Sequence, residues 1–118
     1  MFLDRLSRIG NRIQGAVALS LIDGDGIPVE SINSNPNLDL EVLAAEMIAQ
    51  VKTMQASYSE LADGRFRQCS ITTDRMTLVV SSLGQGYYLL LVLDREASIG
   101  QARFELRRAR LLLEPELV

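Results

Sequence analysis

The longest regular hydrophobic pattern in the chain predicts one long helix over residues 38 to about 62. Asn37 or Asp39 can cap its start by accepting backbone N–H bonds. Asp63 and Gly64 predict its end, because glycine tolerates the left-handed conformation that terminates helices. Apolar positions within this segment step by three and four residues, so they form one stripe that requires a core beneath it. The members of the stripe are Leu40, Leu43, Met47, Val51, Met54, Tyr58 and Leu61.

The opposite side of this helix carries small residues. Ala45, Ala49 and Ala56 fall within about 40° of one another on a helical wheel, flanked by Lys52 and Thr53. Two interpretations are open. Alanine is the strongest helix former and needs no partner. Alternatively, the small side chains let a helix from another copy of the chain approach closely.

The remaining segments predict two shorter helices and five strands. Helical spacing of apolar residues covers the opening dozen positions, and Ser98 can cap a last helix that runs to about residue 114, before Pro115. Alternation and apolar runs between turn residues predict the strands. The predicted strands span residues 16–23, 27–32, 65–73, 76–83 and 87–93.

Several strands show where they belong in a sheet. Pro28 cannot donate a ladder hydrogen bond, so the second strand is expected at an edge. The fifth strand is apolar almost without interruption, which is typical of a central strand. The first strand places Val17, Leu19 and Leu21 on one face and smaller residues on the other, which indicates a strand covered on both sides.

The order helix, two strands, helix, three strands, helix predicts an α+β fold. We expect a five-stranded antiparallel sheet sandwiched between the long helix and the two shorter terminal helices. At 118 residues the chain is long enough for one core, so residues 1–118 are expected to form a single domain.

Composition narrows the classes of function. The net charge of −3 argues against nucleic-acid binding, which needs clustered cations. Histidine is absent, and Cys69 is the one cysteine, so an intrachain disulfide is excluded and a reducing cytoplasm is indicated. The opening segment is too charged for a signal peptide. The apolar run at 87–93 is too short to span a bilayer, and we expect no membrane insertion.

The sequence gives only weak signals for an ion-binding or catalytic site. The Asp23–Gly26 segment lacks the distal glutamate of a calcium loop, and Gly84–Gly86 lacks the lysine and helix of a phosphate-binding loop, so both predict hairpin turns. Cys69 has no histidine to activate it and is expected to be a small core filler. No catalytic set, metal site or cofactor site is therefore predicted, and the chain is expected to be an interaction module rather than an enzyme.

The last helix is rich in arginine. Its cations form either a solvated face or a docking patch, and the sequence leaves both interpretations open. Phe104 and Leu111 lie off the apolar stripe of this helix and are expected to contact the first helix. The arginines are Arg103, Arg107, Arg108 and Arg110.

Local strings at both ends of the chain resemble the Roadblock/dynein-light-chain domain family over nearly its whole length. At the start of the chain, a leucine-rich helix is followed by a glycine, a strand and an acidic-glycine hairpin. At the end of the chain, an apolar strand and an acidic turn are followed by an arginine-rich helix. The opening pattern comprises Leu3, Leu6, Ile9, Gly15, Leu21, Asp23 and Gly26. The closing pattern comprises Leu89, Leu91, Val92, Asp94, Ser98, Ile99, Gly100, Arg103, Leu106 and Arg107.

The resemblance implies a homodimer, or a heterodimer with a paralogue. The long helices would pack side by side, and the third strands would pair into one continuous sheet. An exposed strand edge with free backbone groups suits such pairing. The predicted dimer interface comprises Ala45, Ala49, Lys52, Ala56, Arg67, Cys69 and Ile71.

Family members serve as dynein adaptors, as scaffolds for small GTPases and, among MglB-like bacterial regulators, as partners that raise GTP hydrolysis by a small Ras-like GTPase. The resemblance implies that they reshape the GTPase and insert no arginine. The sequence ends at Val118 without the longer tail of some bacterial members, so binding is a more direct expectation than activation. The expected partner-binding residues are Glu41, Glu46, Gln50 and Thr53.

Two other functions are compatible with the pattern. One is a structural subunit of a motor or scaffold complex that does not depend on nucleotide. The other is a small-ligand sensor, which requires a cavity lined by large core residues. The expected lining residues are Met47, Met54, Tyr58 and Tyr88.

Overall fold

The computed structural model describes residues 2–58 and 64–117, and these form the predicted succession of helices and strands. Two short 3₁₀ segments, Gly84–Gly86 and Glu114–Glu116, complete the secondary structure of this part of the chain. The helices and strands are α1 (Phe2–Arg12), β1 (Ala16–Ile22), β2 (Pro28–Asn33), α2 (Leu40–Tyr58), β3 (Gln68–Thr72), β4 (Met76–Ser82), β5 (Tyr88–Asp94) and α3 (Ile99–Leu113).

The strands form one antiparallel sheet in the order β2-β1-β5-β4-β3. The apolar β5 occupies the centre, as predicted. β2, which begins at Pro28, lies at one edge, where the missing proline N–H leaves no gap in the ladder. β3 forms the other edge and pairs only with β4 among the described strands.

Helices cover both faces of the sheet and divide the core into two clusters. On one face, Leu6 of α1 and Leu106 of α3 pack against Leu91. On the other face, Val51 of α2 packs in a cluster with Leu90. Burial of each such leucine stabilises the fold by about 1.5–3 kcal/mol. The predicted α+β sandwich is therefore confirmed.

One face of β1 differs from the prediction. Leu19 and Leu21 lie on the α1/α3 side, but Val17 packs against the α2-side cluster. The register between β1 and β5 shifts between Ala16 and Ala18, so one extra residue sits in β1 at this point. Such a bulge interrupts strict alternation, and this moves Val17 to the opposite face.

The start of α2 is capped by one of the two predicted residues. Asp39 Oδ1 accepts a hydrogen bond from the Val42 backbone N–H at 3.2 Å. Burial then falls along the predicted stripe, because Val51 is fully buried whereas Tyr58 is 57% exposed. The expectation that Tyr58 rests on the core is wrong, since the last turn of α2 extends beyond it. The predicted continuation through Leu61 and Ala62 lies outside the described residues.

The third strand is shorter than predicted, because it begins at Gln68 rather than at residue 65. The preceding segment is not a strand, so the alternation does not extend to Phe66. Phe66 instead packs on the α2-side cluster together with Cys69. This gives the weakly patterned edge strand its hydrophobic anchor.

Tight turns connect the elements. Asp23 Oδ1 accepts from the backbone N–H groups of Asp25 and Ile27, which fixes the first hairpin. Ser98 Oγ accepts from Gln101 N and caps α3, as predicted. Gly15 joins α1 to β1 with a positive φ of 86°. A Cβ at Gly15 would lie 2.6 Å from the Ala97 Cβ.

Gly15→Ala tests this close approach against Gly86→Ala. Both glycines have positive φ, but a Cβ at Gly86 would meet no atom within 4 Å. We expect Gly86→Ala to lower the free energy of unfolding by about 1–2 kcal/mol, the cost of a left-handed alanine. Gly15→Ala adds a steric cost of about 1–3 kcal/mol. Urea unfolding at one fixed protein concentration measures both, and equal losses would contradict the packing described.

Candidate functional site

The outer face of α2 carries a regular row of mostly small, exposed side chains. Residues on this face step by three and four, so they form a narrow stripe roughly opposite the core side of the helix. We call it the outer α2 stripe. It consists of Val42, Ala45, Ala49, Lys52 and Ala56, all of which are exposed.

Sequence reasoning missed Val42 as a member of this stripe. Its side chain is 56% exposed, although valine is usually buried. The signal was present in the spacing, because Val42 precedes Ala45 by three residues and Ala49 by seven. The stripe therefore extends one turn further towards the N-terminus of α2 than the alanines alone indicate.

The four predicted partner-binding residues are all exposed on α2. Glu46, Gln50 and Thr53 step by four and three, so they line one flank of the outer α2 stripe. Glu41 is rotated from Glu46 by about 140° and lies on the other flank. Thr53 Oγ1 donates to the Ala49 carbonyl at 3.0 Å, so its proton is already engaged within the helix. The structure thus brings three of the four together.

The edge strand β3 carries two of the predicted interface residues. Cys69 packs against the α2-side cluster, and Ile71 is exposed. Burial raises the pKa of the Cys69 thiol, so the group stays protonated and weakly nucleophilic near neutral pH. Arg67 lies just before the strand, where its backbone carbonyl accepts from Ser82 N. The Cys69 side chain packs against the core cluster that α2 covers, so it lies on the α2 face of the sheet.

The turns considered for ion binding use their polar groups internally. Asp23 Oδ1 accepts hydrogen bonds from backbone N–H groups of its own hairpin. The Gly84 N–H donates to Glu114 Oε1 at 3.1 Å, so it does not face an anion. Within residues 2–58 and 64–117, no group of three acidic or cysteine side chains could hold a metal ion. In the same part of the chain, no helix is long and apolar enough to cross a membrane.

Two concavities lie on the α1/α3 side. A groove of about 530 Å³ runs between α1 and the end of α3, and Leu111 lines it opposite Arg8. Phe104 does not enter the groove; it is exposed, with the Arg108 guanidinium 5.9 Å from its ring centre. Leu111 is also exposed, so neither side chain is buried against α1 as expected. The second pocket, of about 320 Å³, lies between α3 and β3.

The cavity expected of a ligand sensor is not formed by the residues named for it. Met47 and Tyr88 are buried within the α2-side cluster, and Met54 packs against it. Neither of the two concavities on the α1/α3 side is lined by these side chains. Met47, Met54 and Tyr88 are part of the packing of the α2-side core cluster.

The sequence profile of the Roadblock/LC7 domain matches residues 5–94. The chain belongs to the Roadblock/LC7 family. This confirms the family resemblance and places the chain in a family of regulatory and scaffolding proteins. The chain has no significant sequence match among curated proteins.

Solved structures of this family superpose closely on the Roadblock/LC7 chain. An MglB described with a tetrameric arrangement is 25% identical, with a TM-score of 0.86 over 95% of this chain and 84% of that one. The gliding protein MglB from Thermus thermophilus is 24% identical, with a TM-score of 0.84 over 96% and 87%. MglC from Myxococcus xanthus is 26% identical, with a TM-score of 0.72 over 98% of both chains.

Proposed function

We propose that the protein is a non-catalytic, dimeric regulator or scaffold that binds a small Ras-like GTPase in a prokaryotic cytoplasm. The observation that carries this proposal is the exposed outer α2 stripe, in a chain whose β3 edge pairs with no further described strand and whose structural neighbours include MglB proteins. A surface of this kind has no chemistry of its own. It offers small side chains and, among the described strands, a β3 edge paired on one side only, which suit association with other proteins.

Two features support the dimer. Alanines along the outer α2 stripe allow two helices to approach to the lower end of the usual 8–10 Å interaxial range. The outer backbone edge of β3 can pair with the same strand of a second copy. A two-fold axis would serve both contacts at once, since an isologous interface uses the same patch on each protomer. A paralogue with the same features could replace one protomer.

The GTPase is proposed to dock on the exposed flanks of α2. Glu46 and Glu41 make these flanks acidic, and Lys52 is the one cation of the helix. Complementary charge on a partner would steer its approach and fix its orientation. The docking surface therefore favours a GTPase face that presents basic residues around its nucleotide-sensitive loops.

Any stimulation of GTP hydrolysis must come from reshaping the GTPase. α2 contains no arginine, so the proposed docking surface has no side chain that could act as an arginine finger. Binding would instead order the attacking water and charged groups that the GTPase itself supplies. The protein would then act as a regulator while it contributes no catalytic residue.

Ala49→Glu tests the dimer, with Leu111→Glu as its control. Ala49 lies in the middle of the outer α2 stripe, whereas Leu111 is exposed on α3 on the opposite face of the sheet. A carboxylate at position 49 would face its symmetry mate and be desolvated there. We expect Ala49→Glu to halve the mass in size exclusion with light scattering, while Leu111→Glu keeps the dimer mass. Unchanged mass for Ala49→Glu would argue against helix-to-helix association.

Glu46→Lys tests the docking of the GTPase. Purified small Ras-like GTPases from the source cell, loaded with GDP or a non-hydrolysable GTP analogue, would be passed over the immobilised protein. We expect retention to differ between the two nucleotides, and Glu46→Lys to lower it about tenfold. The exposed loop substitution Glu96→Lys makes the same charge change and should leave retention unaltered. Equal retention of both nucleotide states would favour a structural subunit and overturn the proposal.

A further inference from the structure

The pocket between α3 and the β3 edge concentrates positive charge in an acidic protein. Four of its six lining residues are arginines and none is acidic, although the chain as a whole has a net charge of −3. The cavity measures about 320 Å³. Its lining residues are Arg67, Gln68, Ser81, Arg103, Arg107 and Arg110.

The arginines differ in how far they are neutralised. Arg110 Nε donates to Glu114 Oε1 at 2.6 Å, and Arg103 Nη2 donates to the neutral Ser70 Oγ at 3.2 Å. Arg67 and Arg107 have no ion-pair partner within residues 2–58 and 64–117. Two guanidinium groups are therefore available to a ligand, and a third is held by a hydroxyl alone.

Three of these cations are close together on one helix. Arg103, Arg107 and Arg110 follow one another at four and three residues on α3, so they are neighbours on one side of the helix. Like charges at this spacing repel one another. An anion in the pocket would remove this repulsion and replace it with attraction.

The pocket also contains a buried hydroxyl. Ser81 is 5% exposed and lies on the same face of β4 as Val79, beneath α3. Ser81 lines the cavity, so its hydroxyl is a further hydrogen-bond donor beside the guanidinium groups. Gln68, opposite Ser81 in the β3–β4 ladder, adds an amide.

From this geometry we infer that the pocket binds a phosphate group of a small phosphate ester or polyphosphate. A tetrahedral dianion has enough oxygens to accept from two guanidinium forks and a hydroxyl simultaneously. Arginine forks match phosphate bidentately and form charge-assisted hydrogen bonds that are stronger than neutral ones. A single carboxylate, with one charge and two oxygens, would leave part of the donor set unused. The site lies on the α3 face of the sheet, whereas the proposed GTPase-docking surface lies on α2; Arg67, which lines the pocket, is also a predicted dimer-interface residue.

Inorganic pyrophosphate is the first probe, titrated by calorimetry into the full chain in a low-salt buffer without phosphate. We expect one site per chain with a dissociation constant in the millimolar range or below. Arg107→Gln should weaken binding about tenfold or more, since it removes a charged donor, and Ser81→Ala should weaken it severalfold. Arg8→Gln, on α1, makes the same charge change away from the pocket and should alter affinity less than about twofold.

Two results would overturn the inference. The first is absence of binding up to about 10 mM pyrophosphate. The second is an equal loss of affinity in Arg107→Gln and Arg8→Gln, which would indicate diffuse attraction. Circular dichroism checks that each variant is folded, and Ser81→Ala changes no charge, so its effect separates a shaped site from net charge.

A phosphoserine peptide and the same peptide without phosphate form a second experiment. Tighter binding of the phosphopeptide than of pyrophosphate identifies a protein-borne phosphate as the source.

Discussion

Complete burial of β5 dictates how the other helices and strands are arranged. Every residue from Leu89 to Leu93 is fully buried, with alternate side chains in the two core clusters. A strand of this kind is stable only when a helical layer covers each face of its sheet. α1 and α3 share one face, while α2 is the one described helix on the other. The order of elements along the chain satisfies this requirement with short connections.

Because different helices cover the two faces of the sheet, the protein has two surfaces of different chemistry. α1 and α3 together carry seven arginines against two acidic residues, so the layer they form is basic. α2 carries two glutamates and one lysine, and its outer side is lined with alanine and valine. One face of the sheet therefore suits anions, and the other suits close packing against a protein. Both surfaces follow from what each helix leaves exposed after its inner side has covered the sheet.

Local chemistry made much of the fold predictable. The central position of β5, the edge position of Pro28 and the cap at Ser98 each follow from a physical property of the residues concerned. The bulge that turns Val17 to the α2 side was not predictable, because alternation carries no information about an inserted residue. Tyr58 kept the correct helical spacing, but the sequence does not show where the core ends beneath a helix. The arginine pocket was not predicted either, because Arg67 and α3 are distant in sequence and meet only in the folded chain.

Hydrogen exchange of the β3 amides over a range of protein concentrations would show whether a second copy covers the β3 edge in the proposed dimer. At high concentration the β3 amides should exchange slowly, and dilution should accelerate them as the dimer dissociates. β2, the opposite edge of the same sheet, is the internal reference and should exchange at a rate independent of concentration. If β3 exchanged as β2 does, at one rate over all concentrations, the two-fold association of this face would be contradicted.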